Sequence, residues 1–260
     1  MPYNTVNETL TQIKTAMNKY LPIFLMLVYS SFVTGQEIPA DPYDFPIKRG
    51  DDNWNKLEDY QAKRDACQIP LGRLSSISTE ALIETYLNYP ILGDLMVFPT
   101  PQMGVEKLKE NFNGANELMK RQDLGKKLIE KYQSMSPKSL NPNWSLIEKG
   151  DYSFRMMAIE ILLAQESVLS SLDPSDRNQL MNLAYENLHE KMKNQEVFGY
   201  LSYSSIAWII VRTLEKENFK FSIQDTEQKA QYQSLVDEGI APSQALFNKI
   251  ISQSKNNRSK

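Results

Sequence analysis

His189 and Glu190 form the one pair in this chain that begins a helical metal-hydrolase signature. That chemistry needs a second imidazole one turn later to complete the metal face, and Lys193 holds the position instead. His189 is the single histidine in 260 residues, so a histidine-built metal site is excluded and no metal ligands are expected. The same shortage leaves a Ser-His-Asp triad with one conceivable base, and no G-x-S-x-G elbow accompanies it. His189 is expected on the surface near a helix end. Cys67 is also alone, which rules out an intramolecular disulfide. A reactive thiol needs a basic neighbour to lower its pKa. Arg64 lies three residues away, but a buried, inert thiol is the expectation.

A pair of carboxylates about 5–10 Å apart can hydrolyse glycosidic bonds. With 32 acidic residues such pairs are unavoidable. Glu58–Asp59, Glu106/Glu110 and Asp237–Glu238 read as solvated helix charges. Asp94 and Glu110 are the candidates for an enzyme working through carboxylates. The aromatic residues Tyr86, Tyr89, Phe98 and Phe112 cluster beside Pro90, Pro99 and Pro101. They suit either a stacking platform for a sugar or protein partner, or simple core packing. Asn88 and Asn111 sit beside predicted turns, where an amide fixes the backbone or meets a ligand. The candidate binding set is therefore Tyr86, Asn88, Tyr89, Asp94, Phe98, Glu110, Asn111 and Phe112, with no catalytic residue assigned.

The ten glycines are never closer than ten residues apart, which excludes phosphate-cradling loops and the nucleotide cofactors they hold; no cofactor is expected. The net charge of −3 lacks the basic footprint of a nucleic-acid binder, so no nucleic-acid partner is expected.

The elements that must position these residues are helices. Nothing alternates with period two for long. A helix is predicted from Asp51 to about Gln68, where Pro70 disfavours helical geometry at Ile69. Ser78 caps a second, with Leu82, Ile83, Tyr86 and Leu87 on one face until Pro90. A third runs from Pro101 to Phe112, turning Val105, Leu108 and Phe112 inward, and Asn113–Gly114 is expected to end it in a left-handed conformation. Short helices follow over Ala115–Arg121 and Asp123–Gln133. Phe154 through Leu172 keeps helical spacing for nearly five turns. Asp173–Pro174 starts another helix, Ile206–Val211 is apolar all round and marks the central core helix, and Gly239 closes a helix capped by Ser222 or Asp225. Pro242 is expected to open the last helix.

The uncharged run Leu21–Val33 is too short to span a membrane and fits a secretory h-region, with Lys19 before it. Val33 and Gly35 suit cleavage before Gln36, and translation from Met17 gives a compact signal peptide. No cysteine follows the run closely, so lipid attachment there is not expected. The expected organisation is a signal peptide at 1–35, an extended arm at 36–50 and a helical module at 51–133. A loop at 134–143, a second helical half at 144–253 packed on the first, and a disordered tail at 254–260 complete it. No membrane span is expected after cleavage.

Between Arg64 and Gly125 a set of spaced pieces recurs: QIP at Gln68–Pro70, STE at Ser78–Glu80, NYP at Asn88–Pro90, and Asp94. Gln102 with Gly104, ENFNG at Glu110–Gly114 and KR-x-D-x-G from Lys120 to Gly125 complete the set. Together they resemble a family of uncharacterised exported all-helical proteins of Gram-negative anaerobic gut bacteria. The resemblance implies export and a shared helical module, and carries over no catalytic residue. The expected fold is all-α, either an irregular bundle or a solenoid-like stack of antiparallel helix pairs. The expected function is binding of a protein or surface polymer at the periplasm, cell surface or exterior, rather than catalysis. The alternatives are a carboxylate-dependent enzyme acting on glycans and a structural envelope component.

Overall fold

The computed structural model describes residues 41–258; the expected signal peptide, the first part of the expected arm and residues 259–260 lie outside them. The described residues form thirteen α-helices and two short 3-10 helices, with no strand among them. The α-helices are α1 Asp52–Asn55, α2 Tyr60–Ala66, α3 Leu71–Leu74, α4 Thr79–Leu87, α5 Pro101–Asn111, α6 Asn113–Leu118 and α7 Leu124–Ser134. The second half holds α8 Leu146–Leu163, α9 Glu166–Ser171, α10 Pro174–Lys193, α11 Tyr200–Lys216, α12 Thr226–Glu238 and α13 Gln244–Arg258. The 3-10 turns span Leu92–Met96 and Pro137–Ser139.

The all-α expectation holds. α11 is flanked by α8, α9, α10, α12 and α13, so the helices form an irregular bundle around it. Its segment Ile206–Val211 is fully buried, which is why that stretch is apolar on every side. The first half joins the bundle where α7 lies on α8, α9 and α10, and where α5 lies on α8 and α12.

Several ends fall where side-chain chemistry places them. Ser78 accepts from Ala81 N at the start of α4, and Asp225 accepts from Gln228 N at the start of α12. Asp173 caps α10 through a reciprocal box with Asp176, and Pro174 follows at the first helical position. Gly239 ends α12 at φ 72°, and a Cβ there would meet the Trp208 ring at 2.6 Å.

Other ends differ from the sequence expectation. The first predicted helix is broken into α1 and α2, because the Asp59 side chain accepts from Ala62 N and caps a new start. The five-turn helix breaks at Ala164–Gln165, with Gln165 extended at φ −67° and ψ 138°. Asn113–Gly114 does not end α5 in a left-handed turn. Phe112 is extended there, and Asn113–Gly114 opens α6. Gly114 is needed for space: a Cβ would lie 2.8 Å from Ile69 Cδ1 and collide with the Phe112 ring. Pro242 precedes α13 without entering it. The expected disordered tail is helical through Arg258, because Gln253 bonds both backbone groups of Ser222 (2.7 and 3.0 Å) and Ser254 is buried.

Gly104 on α5 lies against the backbone of Leu95, whose carbonyl oxygen a Cβ would strike. Gly150, in the exposed first half of α8, has nothing within 4 Å. Denaturant unfolding therefore separates the two: G104A loses about 1–3 kcal/mol from overpacking. G150A gains about 0.5–1 kcal/mol from helix propensity. Equal effects in the two variants would contradict this packing.

Candidate functional site

The spaced pieces of the Arg64–Gly125 segment pair with one another. The Gln68 side chain donates to Asn111 O at 2.9 Å and accepts from Asn113 N at 2.9 Å. The Asn113 amide then bonds both backbone groups of Ile69, at 3.0 and 2.7 Å. QIP and ENFNG are thus a single clamp. Thr79 donates to Asp123 at 2.7 Å, latching STE to the segment before α7. Arg121 reaches Leu74 O at 3.2 Å and pairs with Glu117. Asp94 accepts from the Tyr60 hydroxyl and lies 3.8 Å from Arg64. Burial, reinforced by the Asp94 carboxylate, pushes the Tyr60 hydroxyl up to about 12.

Three of the aromatic candidates are core. Tyr86, Tyr89 and Phe112 are all buried. Tyr89 stacks on Phe112 with ring centroids 4.0 Å apart, and Phe45 of the arm closes over both at 5.9 and 6.0 Å. The arm is held by Tyr43 N donating to Thr85 Oγ1 at 2.8 Å. No exposed platform of Tyr86, Tyr89 and Phe112 exists: α4 turns Tyr86 inward, while Tyr89 and Phe112, beyond the ends of α4 and α5, stack on each other beneath Phe45. Phe98 is half-buried. Asn111 uses its carbonyl in the Gln68 clamp. Glu110 is exposed and pairs with Lys107 at 2.6 Å.

Asn88 is exposed at the end of α4, where its side-chain oxygen accepts from Arg155 of α8. Around it lies a depression of about 440 Å³. Leu87, Tyr89, Pro90, Leu92 and Phe154 form its walls, and Arg49, Arg155 and Asp151 supply its charges. Arg155 also pairs with Asp151 at 2.9 Å, whereas Arg49 forms no ion pair among the described residues. The surface thus holds two guanidinium groups beside apolar walls, Arg155 engaged by Asp151 and Asn88 and Arg49 uncommitted among the described residues. Asp94 and Glu110 do not line it, so the two carboxylate candidates stay outside. Sequence reasoning missed Arg49, Asp151 and Arg155, which come from the arm and from α8, far from Asn88 along the chain. Nothing local marks an arginine as facing such a hollow.

Cys67 is fully buried, and burial pushes its thiol up to about 11. Arg64 points to Tyr60 and Asp94 instead of activating it. His189 is exposed, as expected. Among the described residues no group of three or more His, Cys, Asp or Glu could hold a metal, and no helix is long and apolar enough to cross a membrane.

The most tightly built polar cluster went unseen. Lys191 of α10 donates to both Glu160 oxygens at 2.7 Å, to Ser202 Oγ at 2.6 Å and to Ser202 O at 3.1 Å. Glu160 of α8 also accepts from Ser205 at 2.6 Å and from Tyr132 of α7 at 2.9 Å. Burial lowers the Lys191 ammonium pKa, and the Glu160 carboxylate opposes that shift. Both charged side chains are wholly inaccessible. A signal existed: Lys191 falls on the same face as Ala184 and Leu188, and Glu160 interrupts an apolar run, at positions a packed face reserves for apolar side chains.

No family model, no curated protein and no solved structure matches the chain.

Three outcomes follow. The folded protein keeps the Cys67 proton that the unfolded chain releases, so stability falls as pH rises from 9 to about 11. Below that window, iodoacetamide at pH 8 labels Cys67 only at the rate of unfolding; fast labelling of native protein contradicts the burial. In the ion pair, E160M or K191M alone costs about 3–5 kcal/mol by stranding a charge. The double variant recovers much of that loss, which a denaturant double-mutant cycle measures; additive losses would contradict the pairing.

Proposed function

We propose that this chain is an exported helical protein that binds an external partner through the depression beside Asn88, Tyr89 and Pro90. The observation that carries it is the pairing of Arg49 and Arg155 with apolar walls in a hollow of about 440 Å³. That volume falls within the range of small-ligand pockets. Guanidinium groups recognise carboxylates with planar, directional hydrogen bonds. Pro90 and Phe154 offer faces on which a sugar ring packs. Of the two partner classes expected from the sequence, these features favour a surface polymer carrying acidic sugar units over a protein. The Leu21–Val33 run supports export, and the resemblance of the Arg64–Gly125 segment to exported helical proteins agrees with it.

Binding of polygalacturonate to the full chain, measured by calorimetry beside a neutral glucan, tests the proposal. Preference for the acidic polymer, lost about tenfold in R49A and falling as salt is raised, is the expected result. Equal affinity of R49A and the parent chain, or preference for the glucan, overturns the assignment of the depression. Arg49 suits the test because its guanidinium supports no ion pair among the described residues.

A further inference from the structure

A second hollow lies between the start of α10 and the end of α11, lined by Pro174, Arg177, Asn178, Met181, Thr213, Leu214 and Glu217. Its volume is about 290 Å³, at the small end of ligand pockets. Three features set it apart. First, Thr213 is 1% exposed, and its hydroxyl has no hydrogen-bond partner among the described residues. Native structures rarely leave a buried hydroxyl unpaired, and each exception calls for a cause. Second, Arg177 and Glu217 pair at the rim, bringing both signs of charge to one small opening. Arg177 spends Nε on Glu217 and Nη1 on Leu172 O, which leaves Nη2 uncommitted among the described residues. Third, Met181 and Leu214 are buried and give the hollow an apolar floor.

We propose that this hollow binds a small zwitterion, a free α-amino acid with an aliphatic side chain. A ligand of one charge would meet repulsion from either Arg177 or Glu217. A zwitterion satisfies both: its carboxylate faces Arg177 Nη2 and Asn178, and its ammonium faces Glu217. The Thr213 hydroxyl accepts from the ammonium or donates to the carboxylate, gaining the partner it lacks. The aliphatic side chain rests on Met181 and Leu214. The volume suits one such molecule, and the hollow shares no lining residue with the depression beside Asn88, so the two sites are separate.

The test is an NMR titration of the full chain with L-leucine, alongside 4-methylpentanoate and 3-methylbutylamine, which each lack one charge. Saturable shifts at Arg177, Met181 and Thr213 with leucine, and at least tenfold weaker effects with the single-charge analogues, are expected. T213V keeps the shape and removes the unpaired hydroxyl, so its melting temperature is unchanged or raised while leucine binding weakens about tenfold. Absence of saturation by leucine, equal binding of an analogue, or unchanged affinity in T213V overturns the proposal. None of these outcomes bears on polymer binding by Arg49.

Discussion

Deep in the bundle, the Lys191 ammonium and the Glu160 carboxylate face each other at 2.7 Å, with no accessible surface on either. Taking two such charges out of water costs several kcal/mol each, and their attraction offsets that only when the geometry is good and the remaining lone pairs are filled. Here they are filled: Ser202, Ser205 and Tyr132 supply the other hydrogen bonds. The consequence is a constraint on four helices at once. α7, α8, α10 and α11 must present Tyr132, Glu160, Lys191 and the two serines to one point. A slip of α8 or α10 by one turn would leave a charge buried without its partner, and a slip of α7 or α11 would take away hydrogen bonds that the buried pair needs.

That constraint reaches the surface. α8 carries Glu160 at its buried end and Arg155 a little over one turn earlier, so the pair that fixes α8 also fixes the arginine beside Asn88. α10 and α11 share the most extensive helix interface among the described residues, and the hollow with Thr213 lies between their far ends. The same helices that hold the ion pair thus hold both hollows in place. In the first half a different device serves: amide clamps between Gln68 and Asn113, and the Thr79–Asp123 latch, tie turns together through short side chains. These clamps give a structural reason for most of the spaced pieces from Gln68 to Gly125. Their polar groups are spent on the fold, and the aromatic residues among them fill its core.

The candidate site sorts by the same logic. Tyr86 lies at helical spacing with aliphatic neighbours on α4, whereas Tyr89 and Phe112 lie just past helix ends and are buried by stacking on each other. Asn88 alone stands exposed in the depression, because it follows the last turn of α4 where the chain reverses at Pro90. Phe45 shows how an apparently irregular arm can be structural: one ring closing over Tyr89 and Phe112 anchors it.

By itself the sequence determined the helical class, the buried faces, and those ends set by local chemistry, such as Ser78, Asp173–Pro174, Asp225 and Gly239. Each is a decision made within a few residues by a side-chain cap, a fixed proline φ or a left-handed glycine. Only the tertiary structure decided where Asp59 and Gln165 break longer helices, why Gly104 and Gly114 must lack a side chain, and which charges meet. Arg49 joins Arg155, and Glu160 joins Lys191, across dozens of residues of chain. The physical reason is that a charge's role depends on its neighbours in space and on its exposure to water, and neither is a property of the residues beside it in sequence.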